Sequence, residues 1–487
     1  MPSDVTQPVA IDFPDDERCP HTMTTTTEST HADPATELRA AVSGVVAGPA
    51  DPEYARATPW NVSVPSQPCA VVFAASPADV AATLRVAERH HLTVAVQATG
   101  HGALPIDAST ILVHTAALNE CVVDPHTRTA KVGAGVRWQQ VIDAAAPHGL
   151  AALAGSSPHV GVVGFLTGGG IGPLVRSVGL SSDHVRSFEL VTGRGEILQV
   201  SPDNHAELFW GLRGGKGTLG IVTAVEIDLL PISGFYGGAV YFDGSDASDV
   251  LRIWRDWSAD LPEDANTSIA LLQLPPLPGV PPQLAGKLTV AVRYTSLAEP
   301  AAAEALFAPI RAAASPLIDA VAPMPYAAMG AIHADPVDPM PTSERSTLLS
   351  ELTDSTLDAL LDHAGPDSGS PQVVVELRLL GGAMSRPGSH RSAFCHRGAA
   401  FNLMVIGALV PPIAEHVPGH AAAIMGAVAP WSVGELPNFA PGAGPDRLAR
   451  CYDEDTLMWL GALAEQHDPH GLLRIGQVVR SVTPSGN

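Results

Sequence analysis

"GSSPHVGVVGFLTGGGIGPLVRSVGLSSDHV", residues Gly155–Val185, is the segment on which the fold turns. Six of its glycines fall between Gly161 and Gly172. Such a run exposes successive backbone N–H groups, which can form a concave nest for a diphosphate. It is not a Walker loop, because no GK[ST] follows, and it lacks the strand-to-helix setting of a GxGxxG dinucleotide signature. Alone, it reads either as a nest or as a string of tight turns.

Two more glycine loops decide between those readings. "VAVQATGHGALPID", Val94–Asp107, places His101 between Gly100 and Gly102 directly after a short apolar strand. Glycine lets backbone approach another group closely. His101 there is either a turn histidine capping neighbouring backbone or a side chain held against a ligand. "ELFWGLRGGKGTLGIVTAVEIDLL", Glu207–Leu230, again sets a glycine loop before a strand. Three such loops interleaved with strands imply a large ligand whose phosphate portion lies along backbone.

Around them the chain reads as mixed α and β. "CAVVFAA" (Cys69–Ala75) is a buried-strand pattern, and "SPADVAATLRVAERHHL" a helix with Ser76 as N-cap and Pro77 at its first position. "TVAVQA" completes a β-α-β unit that ends at His101. Further strands fit 111–115, 129–135, 187–193, 196–201 and 220–230, with a short helix over 35–44 and an amphipathic one over "RWQQVIDAAAPHGL". After Pro231 the character changes. "GFYGGAVYF", "TSIALLQLPPLP", "KLTVAVRYT", "PQVVVELRLLGG" and "AFNLMVIGALV" are strand candidates separated by helical stretches, which predicts an antiparallel sheet covered by helices on one face. The last fifty residues, with the helix "DEDTLMWLGALAEQHDP", read as a return to the first domain.

Composition bounds the rest. The 487 residues are too many for one compact core, and 46% hydrophobic residues suffice for large ones. A net charge of −23 argues against a nucleic-acid partner, and no uninterrupted apolar run is long enough to predict a membrane span. Five scattered cysteines without a CxxC pair fit neither a disulfide framework nor a zinc site, so no metal is expected. Residues 1–34 are polar and acidic, lack a secretory pattern and read as a disordered tail, with Met23 a plausible start; the remainder reads as cytoplasmic.

In order and spacing these motifs resemble the vanillyl-alcohol-oxidase superfamily of flavoproteins, in its berberine-bridge-enzyme-like branch. The matching segments are the helix leading to "QATGHG", the 155–185 run, "ELFWGLRGGKGTLGIVT", a late "NF" and the terminal "HDPHGLLRIGQVV". The resemblance implies an α+β fold: a two-part PCMH-type FAD-binding domain (35–232 and 430–487) and a substrate domain (233–429) with an antiparallel sheet covered by helices. It implies FAD as cofactor. The family's first loop reads arginine, small, glycine, glycine, histidine, serine; here it is Gln97, Ala98, Thr99, Gly100, His101, Gly102. His101 matches the histidine that is covalently attached to the flavin, while the arginine is missing. The family's second attachment, when present, is a cysteine before Pro-x-Val-Gly. Here Ser157 precedes Pro158-His159-Val160-Gly161, and a hydroxyl is a far poorer nucleophile than a thiolate. A single covalent link through His101 is therefore expected. Ser156, Ser157, Val160, Gly161, Gly164, Phe165, Thr167, Gly168, Gly170 and Gly172 are expected along the cofactor, Gly220, Ile221 and Val222 near its adenine or ribose, and Asn438 with Phe439 near the flavin.

Catalysis is less legible. The branch usually carries a base as a tyrosine two residues before the late asparagine, or as an acid in the substrate domain. Leu436 stands at the first place, and residues 383–397 contain no Asp or Glu. Glu376 and Arg378, two apart in a strand, share one face, either over the cofactor or on the outside. Tyr326, His333, His390, His396 and Glu435 are further candidates. Tyr236 and Tyr241 have opposite parity in their strand, so at most one faces inward. The resemblance implies an FAD-dependent oxidase of a small or polycyclic, secondary metabolite, with hydride transfer to flavin N5 and O2 as acceptor. A dehydrogenase, a rearrangement or cyclisation enzyme, and a flavin-binding protein without turnover stand as alternatives.

Overall fold

The computed structural model describes residues 33–439, 442 and 444–480. The tail expected over 1–34, with Met23, lies outside them apart from its last two positions, and Pro34 already opens a helix, Pro34–Ala41.

Three sheets organise the chain. The first has the order Val45–Ala47, Ala70–Phe73, Thr110–His114, Thr93–Gln97, its last three strands parallel. The helix Pro77–Arg89 joins the second and the last of these in that spatial order. Its start follows the sequence: Ser76 accepts a hydrogen bond from Asp79 N at 3.2 Å, and Val80, Leu84 and Ala87 fall on the buried stripe. The predicted β-α-β unit is present, with one strand inserted. The two strands of the predicted β-α-β unit are not neighbours, because Thr110–His114 lies between them. Strand patterns show what is buried, not which strand sits beside which.

The second sheet is antiparallel, in the order Cys121–Asp124, Thr129–Gly133, Ile221–Asp228, Val185–Val191, Ile197–Val200. The third contains nine strands, also antiparallel. Its centre runs Gly234–Asp243, Leu288–Ser296, Ala265–Gln273, Val374–Leu379, Phe401–Ala408, Thr342–Leu349. The strand Thr342–Leu349 was not legible: "TSERSTLL" begins with polar residues and no apolar alternation.

One face of the third sheet carries helices Ala247–Ala259, Pro300–Arg311, Asp354–Ala364 and Val417–Ala427. Ile269, Val292, Leu377 and Leu403 of the sheet meet Trp254, Phe307, Leu357 and Ile424 of the helices in one apolar core. Successive strand residues point to opposite faces, so 268, 293, 376 and 378 point the other way, toward the first half of the chain. The C-terminal segment returns to the first sheet. Leu472 and Leu473 pack with Val72, Val94 and Ile111, and Val94 N donates to Leu472 O at 2.8 Å.

Candidate active site

Two of the glycine loops meet. A Cβ at Gly161 would stand 3.3 Å from Ala98 Cβ and 3.8 Å from Thr99 Oγ1, so the second loop lies directly on the first. Gly100 adopts φ +79°, and a Cβ there would strike Pro59 at 2.5 Å. Glycine is therefore required on two counts.

His101 follows directly in the first of these loops. Its ring stacks on Trp60, centroids 4.7 Å apart and planes 13° off parallel, and its Nδ1 is 2.8 Å from Thr99 Oγ1. Burial, helped by Arg137, pulls its pKa down to about 4. The imidazole is thus neutral near pH 7, the form in which a ring nitrogen is nucleophilic.

Three observations make the locus fit a flavin dinucleotide. Among the described residues, the amides of Thr99, Gly100, His101 and Gly102 donate to no protein acceptor, leaving four consecutive donors for an anion. The Ser157 hydroxyl is buried and has no hydrogen-bond partner. Gly102 and Gly164 face space in which a Cβ would meet nothing within 4 Å. FAD, with its diphosphate, answers all three.

Other predicted positions have a different physical reason. A Cβ at Gly168 would fall 2.1 Å from Asn438 Oδ1, one at Gly170 2.7 Å from Phe165, and one at Gly172 2.1 Å from Ala154 O. Their glycines are required by close packing of the chain on itself, whatever else lies beside them. Gln97, standing where the family has arginine, donates its amide to Ala57 O at 2.9 Å. Thr167 is buried and donates to Gly164 O at 3.3 Å. Gly220 lies against Val191 O, while Ile221 and Val222 are buried in apolar cores. Phe165 packs edge-on against Trp138, and Val160 against the same core. Asn438 donates to Phe165 O at 2.7 Å and accepts from Lys216 Nζ at 2.5 Å. Lys216, not foreseen, is a lysine at φ +56° inside the third glycine loop, and burial lowers its pKa to about 8.

Facing these loops is the polar side of the nine-stranded sheet. Ser268 is in register with Arg293 on one neighbour strand and with Arg378 on the other, which aligns the three side chains across the sheet. Glu376, two residues before Arg378, joins them at 3% exposure. Its Oε1 accepts from Arg293 at 2.7 Å and Ser268 at 2.8 Å, and its Oε2 from Arg378 at 2.8 Å. Of the two placements open to Glu376 and Arg378, the inner face is the one observed. Burial opposes charge on Glu376, yet Arg378 and Arg293 hold its carboxyl well below the ordinary range. A carboxylate so bonded is a poor proton acceptor. Arg378 also reaches Ser156 Oγ at 3.4 Å and lies over the Phe439 ring, 5.4 Å from its centre. That contact joins the polar face to the predicted cofactor positions.

His333 completes the group. Its Nε2 is 3.3 Å from Glu376 Oε1 but misaligned for a hydrogen bond, and neither ring nitrogen has a partner. Burial, then Arg293, lowers its pKa, against the pull of Glu376. Arg293, Arg378, His333, Ser268 and Ile171 line a small cavity that is partly open to solvent.

Tyr326 is placed elsewhere. Its hydroxyl donates to Ala152 O at 2.5 Å and receives Ala154 N at 3.3 Å, and burial pushes the phenol up. It ties two segments together and is corrected from a candidate base to a structural residue. Glu435 pairs with Arg450 and Arg447, and His396 Nε2 bonds Arg450 O at 2.7 Å. His390 packs edge-on against Phe209. Tyr236 is buried in the helix-side core, and Tyr241 is half-buried on the other face. No cluster of metal-ligating side chains occurs among the described residues. Arg293 escaped the sequence reading, although a charge inside "LTVAVRYT" was itself a signal of a buried partner.

Residues 68–201 match the family model of an FAD binding domain. The chain carries the PCMH-type FAD-binding fold. Superposition on 6-hydroxy-D-nicotine oxidase from Arthrobacter nicotinovorans gives a TM-score of 0.78 at 23% identity, covering 91% of this chain and 99% of that one. A BBE-like protein of Physcomitrella patens gives 0.80 at 18% identity, covering 93% and 100%. In sequence, (R)-6-hydroxynicotine oxidase of Paenarthrobacter nicotinovorans is 32% identical over 191 residues, 39% of this chain and 42% of its own length. An FAD-dependent monooxygenase of Aspergillus calidoustus is 30% identical over 239 residues, 47% of this chain and 46% of its own. The chain thus aligns with less than half the length of these curated relatives. No helix among the described residues is long and apolar enough to cross a membrane.

Proposed function

We propose that this protein is an FAD-dependent oxidase of the berberine-bridge-enzyme-like type, acting on a small secondary metabolite in the cytoplasm with O2 as acceptor. Residues 35–232 and 430–487 hold the cofactor in this reading, and 233–429 hold the substrate. The observation that carries it is His101, a neutral imidazole within the run 99–102, whose four amides donate to no acceptor among the described residues and on which the second glycine loop lies. His101 makes the single covalent link, because Ser157 cannot supply the second.

When bound, FAD supplies a two-electron acceptor at flavin N5. The chain's own residues do the rest. The amides of 99–102 and the Ser157 hydroxyl bind the cofactor. His333 takes the proton from the substrate hydroxyl, with Glu376 beside it to stabilise the resulting imidazolium. Arg378 spans from this group to Ser156 and orients the substrate side against the cofactor side.

Aerobic reoxidation tests the activity. After anaerobic reduction of the purified holoprotein, the yellow absorbance is expected to return rapidly on admitting air. Slow return identifies a dehydrogenase instead. Replacing His333 by Gln is expected to lower turnover by about 10²-fold or more, the usual range for a general base. Unchanged turnover removes His333 from the mechanism.

A further inference from the structure

The polar face of the sheet carries more positive charge than it neutralises. Arg293 and Arg378 share one carboxylate, Glu376, and among the described residues neither forms an ion pair with any other acid. His333, neutral by burial, adds no charge to offset. One positive charge is therefore left over in a buried group, and uncompensated buried charge is costly. The unspent hydrogen-bonding capacity lies in the same place. Arg293 is 5% exposed, its Nε is buried with no partner, and its side chain lines the cavity. Both His333 ring nitrogens are likewise unbonded there.

We propose that this cavity recognises a substrate bearing a carboxylate, held by Arg293 and Arg378. A guanidinium presents a planar fork of donors that matches a carboxylate, and such charge-assisted bonds exceed neutral ones in strength. The substrate's anion supplies the charge that Glu376 alone does not. Glu376 is then the internal counter-ion that keeps the two arginines side by side before substrate arrives. The bound acid lies beside His333 and, through Arg378, beside Ser156 and Phe439. The proposal deepens the functional reading above and rests on it for the cavity being the substrate's.

Calorimetric titration of the holoprotein with benzoate and with benzamide, which match in shape and differ in charge, tests it. Benzoate is expected to bind about tenfold or more tightly than the amide. Arg293→Met leaves Glu376 paired with Arg378 but removes the excess charge, and is expected to abolish the preference. Glu376→Gln raises the excess and is expected to enlarge it. Equal affinities, no heat from benzoate, or a preference that survives Arg293→Met each overturn the proposal. Flavin absorbance of the same samples separates the two readings. A colourless protein that still prefers benzoate refutes the flavin reading alone, and a yellow one without preference refutes this one alone.

Discussion

The glycine loops and the polar sheet face approach the same site by opposite means. The loops offer backbone: unpaired amides at 99–102 and space at Gly102 and Gly164. The sheet face offers side chains, a buried group of two arginines, a glutamate and a histidine placed by strand register. In the proposed function the loops serve an invariant feature of the cofactor, its diphosphate, which backbone donors suit. The sheet face presents chemistry that can differ from one substrate to the next without disturbing the backbone that supports it.

Substitutions break this comparison in graded ways. The largest expected effect is on the sheet face. Glu376→Ala leaves two guanidiniums unpaired in the interior and is expected to destabilise the fold by about 3–5 kcal/mol, read by denaturant unfolding. Stability within about 0.5 kcal/mol of wild type, the scatter of surface mutants, would show the group to be solvated. Within the loops, Gly168→Ala meets the Asn438 side chain and is expected to cost about 1–3 kcal/mol. Gly164→Ala has room and is expected to leave apoprotein stability unchanged while weakening flavin retention. Equal stability losses at the two positions would erase the distinction between packing glycines and ligand-facing ones. Tyr326→Phe is expected to cost about 1 kcal/mol through its lost bonds to Ala152 and Ala154 while leaving the pH dependence of turnover unmoved.

A separate prediction concerns pH. His114 is buried with Nδ1 accepting from Ala116 N, and burial lowers its pKa from 6.5 to about 4. The unfolded chain therefore binds the proton first. Its contribution to stability is full above pH 6.5 and is lost as pH falls from there toward 4. A His114→Gln variant is expected to show a shallower loss of thermal stability across that window. An identical profile would mean that His114 titrates normally.

The same contrast explains what the sequence disclosed. The loops were legible because glycine spacing, strand alternation and the Ser76 cap are local, and "QATGHG" carries its chemistry in consecutive positions. The helix-covered antiparallel sheet was legible for the same reason. The polar face was not, because Ser268, Arg293 and Glu376 come from three strands whose register no local pattern states. Glu376 and Arg378 were placed on one face by parity, but which face depended on Ile269, Val292 and Leu377 choosing the helices. Glycines 168, 170 and 172 were visible as a run, while their contacts with Asn438, Phe165 and Ala154 are tertiary and were invisible.

The central claim is that His101 bonds to the flavin, and the intact mass of the acid-denatured protein tests it most directly. A mass increase equal to one FAD is expected in the wild-type protein and is absent in His101→Ala. Flavin released into solution by acid, with the polypeptide at its unmodified mass, would contradict it.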